Sequence, residues 1–186
     1  MSPFTTDWLI SLLTEYVKST GAAVDLILVG GLALQAYGLP DRATQDIDGE
    51  FNGDLTGLVQ FLTDRHIPAD LGANISGWSV VAMPPGYRER TSLLVERPKL
   101  LVRLLAPTDF IIAKLRRGTE LDLDDAAWVA TQFKIASEAI KTAAENAVSV
   151  SPPDTMIFVF RKTVDLFCHR IAAREFKGGP GPTPEK

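Results

Sequence analysis

Cysteine is almost missing from this chain: Cys168 is the single one in 186 residues. An internal disulfide framework is thereby excluded, and the composition fits a reducing cytoplasm. Histidine is nearly as scarce, with only His66 and His169. Neither has a second ligand nearby in the sequence, which speaks against a zinc centre or a histidine-based triad. No lysine-bearing phosphate loop of the Walker type and no Gly-x-Gly-x-x-Gly occurs, which argues against a P-loop NTPase or a dinucleotide enzyme. The longest apolar runs fall well short of a membrane span, and the N-terminus lacks the basic, apolar, small-residue order of a secretion signal. The expected location is therefore the cytoplasm, away from membranes. Basic residues are scarce in one region: residues 1–60 hold eight acids against two bases, whereas the remainder holds fifteen acids and seventeen bases. With a net charge of −4, the chain is not a sequence-blind DNA binder.

What is present describes an ordinary globular protein, 46% hydrophobic and 23% charged, large enough for one packed domain with a helical appendage. Trp8, Leu9, Leu12, Leu13, Tyr16 and Val17 recur at helical spacing up to Gly21. Val24 to Val29 reads as a buried strand, Gly31 to Tyr37 as a short helix and Gln45 to Phe51 as a second strand. A helix then runs to about His66, and strands are expected at Trp78 to Met83, Thr91 to Glu96 and Lys99 to Leu105. Beyond residue 106 the pattern is helical: a segment capped by Thr108 or Asp109, then Asp122 to Phe133 and Ser137 to Val148. A last helix carries Met156, Val159, Phe160, Val164, Phe167, Cys168 and Ile171 on one side. The expected class is α/β (α+β), a mixed sheet flanked by helices, with a core over 1–106, a helical part over 107–177 and a disordered tail over 178–186. On this reading Cys168 packs in a helix stripe and has no reactive role.

The chemistry concentrates early. Leu26-Ile27-Leu28-Val29 ends in Gly30-Gly31, where a strand stops and the backbone can bend or approach another group closely. Asp46 and Asp48 are two apart, so on a strand both carboxylates project from one face. Two adjacent anions are costly without a cation, and Mg²⁺ suits oxygen ligands. Backbone N–H groups freed by the glycines could cradle a phosphate beside that ion. The plainer accounts are a strand-to-helix turn for the glycines and solvated strand residues for the aspartates. Aspartate is poor in strands, which favours the metal account.

Apolar strand, Gly-Gly, helix and Asp-x-Asp together resemble the nucleotidyltransferase superfamily related to DNA polymerase beta. The likeness is closest to its small bacterial members, the minimal nucleotidyltransferases and the abortive-infection and toxin–antitoxin proteins. Arg42 and Thr44, just ahead of Asp46, strengthen the resemblance, as does a second block of Lys114 followed by Asp122, Asp124 and Asp125. The resemblance implies two Mg²⁺ ions at Asp46 and Asp48, with an NTP held by Gly30, Gly31, Thr44 and Lys114. Asp122 or Asp125 would orient Lys114 or a substrate loop. A third carboxylate is required for a two-metal transfer, and Asp70 or Glu96 could supply it. Arg88 and Arg90 could contact phosphate or an RNA backbone, or simply charge a hairpin edge. For Lys114 the plain alternative is a snorkelling lysine, and for the acids a helix start.

The implied activity moves a nucleoside monophosphate from an NTP to a hydroxyl on RNA, a protein or a small molecule. An antitoxin or toxin partner is implied as well, and the Phe- and Leu-rich last helix could serve a homodimer. The alternative is a catalytically inactive binding module of the same fold. An aminoglycoside-modifying enzyme fits less well.

Overall fold

The computed structural model describes residues 4–177, with side chains up to Ala173; the expected disordered tail at 178–186 lies outside the described residues. These residues fall into two compact units, divided at Ser79/Val80, Pro85/Gly86 and Ala106/Pro107.

The first unit carries the sheet. Helix α1 (Thr6–Thr20) starts at Thr5, whose side chain accepts a hydrogen bond from the Trp8 N–H, and ends at Gly21 in the left-handed conformation. Strands β1 (Val24–Leu28), β2 (Ile47–Gly53), β3 (Ala69–Gly72), β4 (Ser92–Arg97) and β5 (Leu100–Leu104) form one sheet in the order β3-β2-β1-β5-β4. β1 runs antiparallel to β2 and parallel to β5, β2 is parallel to β3, and β4 is antiparallel to β5. Helix α2 (Gly31–Ala36) follows β1, and α3 (Leu55–Thr63) joins β2 to β3. Tyr16 of α1 meets Phe61 of α3 edge-on at 5.1 Å, so these two helices share one core.

The period of two divides the sheet into unlike faces. Val24, Leu26 and Leu28, then Ile47 and Phe51, then Leu100, Val102 and Leu104 are all buried on one face. The register places Asp25 beside Asn52, Ile27 between Glu50 and Arg103, and Asp48 beside Asp70 on the other. One face is hydrocarbon and the other is charged.

The second unit is helical: α4 (Pro107–Arg117), α5 (Glu120–Gln132), α6 (Ser137–Ser149) and α7 (Met156–Lys177). Its interior collects Phe110, Ile111, Ile112, Leu115, Ala126, Val129, Ile140, Ala144, Phe160, Val164 and Phe167.

Three expectations need correcting. The strand expected at Trp78 to Met83 does not form; β3 is followed by a 3₁₀ turn at Ile75–Trp78, capped by the Asn74 side chain. Beyond it, the Ala82 N–H donates to Ser151 Oγ and the Val81 carbonyl accepts from Arg116 Nε, so this backbone bonds to helices instead of a sheet. Met156 and Val159 are about half exposed, unlike Phe160, Val164, Phe167, Cys168 and Ile171, which form the buried stripe of α7. Finally, β2 begins at Ile47, whose N–H donates to the Pro68 carbonyl, so Asp46 stands one residue before the strand.

Candidate active site

The chain passes from β1 into α2 through Gly30, at φ +24 and ψ −152. A Cβ at Gly30 would sit 2.0 Å from Asp48 Oδ2, and one at Gly31 would sit 2.6 Å from Thr44 Cβ. Glycine is therefore required at both positions by close approach, and at Gly30 also by a backbone that side chains rarely adopt. The bare backbone of the glycine pair lies directly against the Asp48 carboxylate.

Thr44 links Asp46 to that pair. It is buried, and its hydroxyl donates to Asp46 Oδ1 at 2.9 Å. Its carbonyl accepts from the Phe4 N–H at 2.9 Å, which fixes the segment before β2. Asp46 itself is exposed and Asp48 is half-buried. Both carboxylates thus flank Gly30-Gly31, Asp48 by direct contact and Asp46 through Thr44.

Asp70 lies opposite Asp48 in the β2–β3 ladder and shares its face. Pro68 does not disturb this strand because it stands just outside β3 and contributes only its carbonyl. Glu96 lies on β4, and β1 and β5 separate that strand from β2. Three strand spacings amount to ~14 Å, so Glu96 does not reach the Asp48 region. Among the described residues, no three His, Cys, Asp or Glu side chains are grouped closely enough to hold a metal ion between them.

Sequence reasoning missed Glu50. It continues the two-residue spacing of Asp46 and Asp48 and shares the sheet face of Asp48, and that spacing was the available signal. Glu50 is buried and its Oε2 accepts from the Ile75 N–H at 2.9 Å and Tyr87 Oη at 2.6 Å. Its Oε1 accepts from Arg88 Nε. That hydrogen bond raises the Arg88 pKa above its already high ordinary value. With three donors, the Glu50 carboxylate is an anchor for residues 74–88 and not a free ligand. Arg103 is likewise held, donating to Asp25 Oδ1 at 2.6 Å.

In the helical unit, Lys114 is buried and its Nζ donates to Asp122 Oδ1 at 3.2 Å and Asp125 Oδ2 at 2.9 Å. Thr119 caps α5 and donates to Asp122 Oδ2 at 2.7 Å. Asp122 is therefore not the helix cap that a sequence reading would make it. Cys168 is buried, and burial pushes its thiol pKa up.

Residues 8–154 match a protein family described as a nucleotidyltransferase of unknown function (DUF6036). No curated protein matches the chain. No helix among the described residues is long and apolar enough to cross a membrane. The matched span covers most of the chain, and the chain belongs to that family.

Proposed function

From membership of this nucleotidyltransferase family, we propose that the chain transfers a nucleoside monophosphate from an NTP to a hydroxyl acceptor with the help of Mg²⁺. The observation that carries this reading is the contact of Gly30 with the Asp48 carboxylate, with Asp70 facing Asp48 across the ladder. Backbone N–H groups at the glycines suit the triphosphate, since a side chain there would block its approach to the acids.

Asp46 and Asp48 would hold the metal. Their donor set is all oxygen, and Mg²⁺ is commonly bound by one or two carboxylates, with water and substrate phosphate completing its shell. The absence of a third grouped carboxylate among the described residues therefore does not conflict with the fit. When bound, the metal supplies charge stabilisation at the reacting phosphoryl group. Thr44 orients Asp46 through its hydroxyl. Asp70 is the group best placed to accept the acceptor hydroxyl's proton as the new P–O bond forms and pyrophosphate leaves. The Lys114 charge is already met by Asp122 and Asp125, so this reading rests on the sheet residues alone.

The rival reading is an inactive module of the same family, favoured by apolar side chains exposed on α7. Exposed Phe158, at 71%, and Leu166, at 65%, on α7 would then be the surface for an antitoxin or toxin partner, or for a second copy. Calorimetric titration with each Mg²⁺-NTP, comparing the wild type with Asp48→Asn, separates the two. Saturable binding lost in the variant supports the enzyme; no binding to either protein rejects it.

A further inference from the structure

The charged face of the sheet has a direction. Gly30 follows the end of β1 beside Asp48; Glu50 comes next, opposite Ile27, and then Asn52, opposite Asp25. Arg88 is tied to Glu50, so it lies on the side of Asp48 away from the glycines. An in-line displacement has its leaving group and its attacking group on opposite sides of the phosphorus. With the triphosphate at the glycines, the Arg88 side is where an acceptor would enter.

Arg88 is fixed with unusual care for a loop residue. Nε is bound to Glu50, Nη2 donates to Asn74 Oδ1 at 3.3 Å, and its carbonyl accepts from Arg103 Nη1 at 3.4 Å. Its guanidinium also stands 4.9 Å from the Tyr87 ring centre. These hydrogen bonds use Nε and Nη2, and the side chain remains 45% exposed. Beside it, Gly72 pairs with Glu50, and a Cβ at Gly72 would meet the Trp78 indole at 2.7 Å. The indole thus rests against bare β3 backbone while Trp78 remains 43% exposed. The indole against Gly72 and the guanidinium on Glu50 thus share one rung of the β2–β3 ladder, two residues along from the Asp48–Asp70 rung.

We propose that Trp78 and Arg88 form an acceptor subsite for the end of a single-stranded nucleic acid, a base stacking on the indole and a phosphate meeting the guanidinium. This rests on the nucleotidyltransferase reading and narrows its acceptor. Stacking on an aromatic ring with an arginine at the backbone is how single strands are held without sequence readout. A single arginine suits a chain that is acidic overall: it holds one terminal nucleotide and does not track a backbone.

The test uses the full chain with Mg²⁺ and a short 5′-labelled single-stranded RNA, read by fluorescence anisotropy and by quenching of tryptophan emission. Wild type is expected to bind with quenching. Trp78→Phe should lose the quenching, and Trp78→Ala should weaken RNA binding roughly ten-fold. Arg88→Lys, which keeps the charge but loses the forked donors, should weaken RNA binding with little change in its salt dependence, while Mg²⁺-NTP titrations stay unchanged in every variant. Arg88→Ala is avoided because it would leave the buried Glu50 carboxylate without its cation. RNA binding that is absent in the wild type, or unchanged in these variants, overturns the subsite while NTP binding persists. Loss of NTP binding from the wild type would instead reject the underlying reading, and the subsite with it.

Discussion

Asp46, Asp48 and Asp70 on the sheet, and Asp122 and Asp125 among the helices, are one side-chain type in opposite surroundings. The helical pair is buried and has its cation built in, with Lys114 Nζ within 3.2 Å of both. On the sheet, Asp46 and Asp70 are exposed, Asp48 is half-buried, and the backbone of Gly30 lies against the Asp48 carboxylate. Burying a carboxylate is tolerable only with a charge partner in place, whereas solvent screens carboxylates nearer the surface. The helical cluster is therefore arranged for stability and the sheet cluster for binding. Mutations at the two should separate along those lines.

The largest effect is expected on the sheet. Asp48→Asn should reduce nucleotidyl transfer by more than about 100-fold, since even outer-shell changes at metal sites cost 10–100-fold. Its unfolding free energy should hold or rise slightly, because an anion is removed from beside Asp46. A radiolabelled transfer assay and urea unfolding measure the two, and a large loss of stability would make Asp48 structural.

Lys114→Ala should show the reverse. It leaves Asp122 and Asp125 buried without their cation, and breaking such a pair costs about 3–5 kcal/mol in urea unfolding. Weaker Mg²⁺-NTP binding at unchanged stability would instead assign Lys114 to the nucleotide and erase the contrast.

Gly30→Ala tests the close approach. The added Cβ must displace the Asp48 carboxylate and adopt an unfavourable φ, costing about 1–3 kcal/mol of stability together with NTP binding. An unperturbed variant would show that the glycine–aspartate contact is loose.

The smallest effects belong to the surface and interior of the helical unit. The Arg161 hydrogen bond holds the Glu145 carboxyl below the usual range. The stability this pair adds should be complete above the ordinary carboxylate pKa and fade as pH falls through the depressed one. Glu145→Gln should remove that slope, so its small loss of stability should be present at neutral pH and vanish in acid. Cys168, its thiol pKa raised by burial, should react with a maleimide only as fast as the helical unit opens. Rapid labelling of the native protein would contradict its burial.

Much of the fold was legible where periodicity is strong. The run Leu26 to Val29 could only be a buried strand, and the helical stripe of Leu9, Leu12, Leu13 and Tyr16 emerged as expected. Residues 78–83 were misread because a short apolar run looks like a strand wherever it lies. Their backbone partners, Ser151 and Arg116, are far away in the sequence. Glu50 was passed over because nothing local distinguishes an anchoring carboxylate from a solvated one; its donors come from Ile75, Tyr87 and Arg88.

The sequence by itself determined the ingredients at fixed spacing: a glycine pair ending an apolar strand, two aspartates in period two, and a lysine ahead of an acidic helix start. Local covalent geometry turns that spacing into a shared face only along a strand, and Asp46 stands just outside β2. Which acid faces Asp48 was decided only by the tertiary structure. Strand order puts β3 beside β2 and β4 three strands away, so the register selects Asp70 over Glu96. Strand order depends on the packing of every element at once, and no short window of sequence contains it.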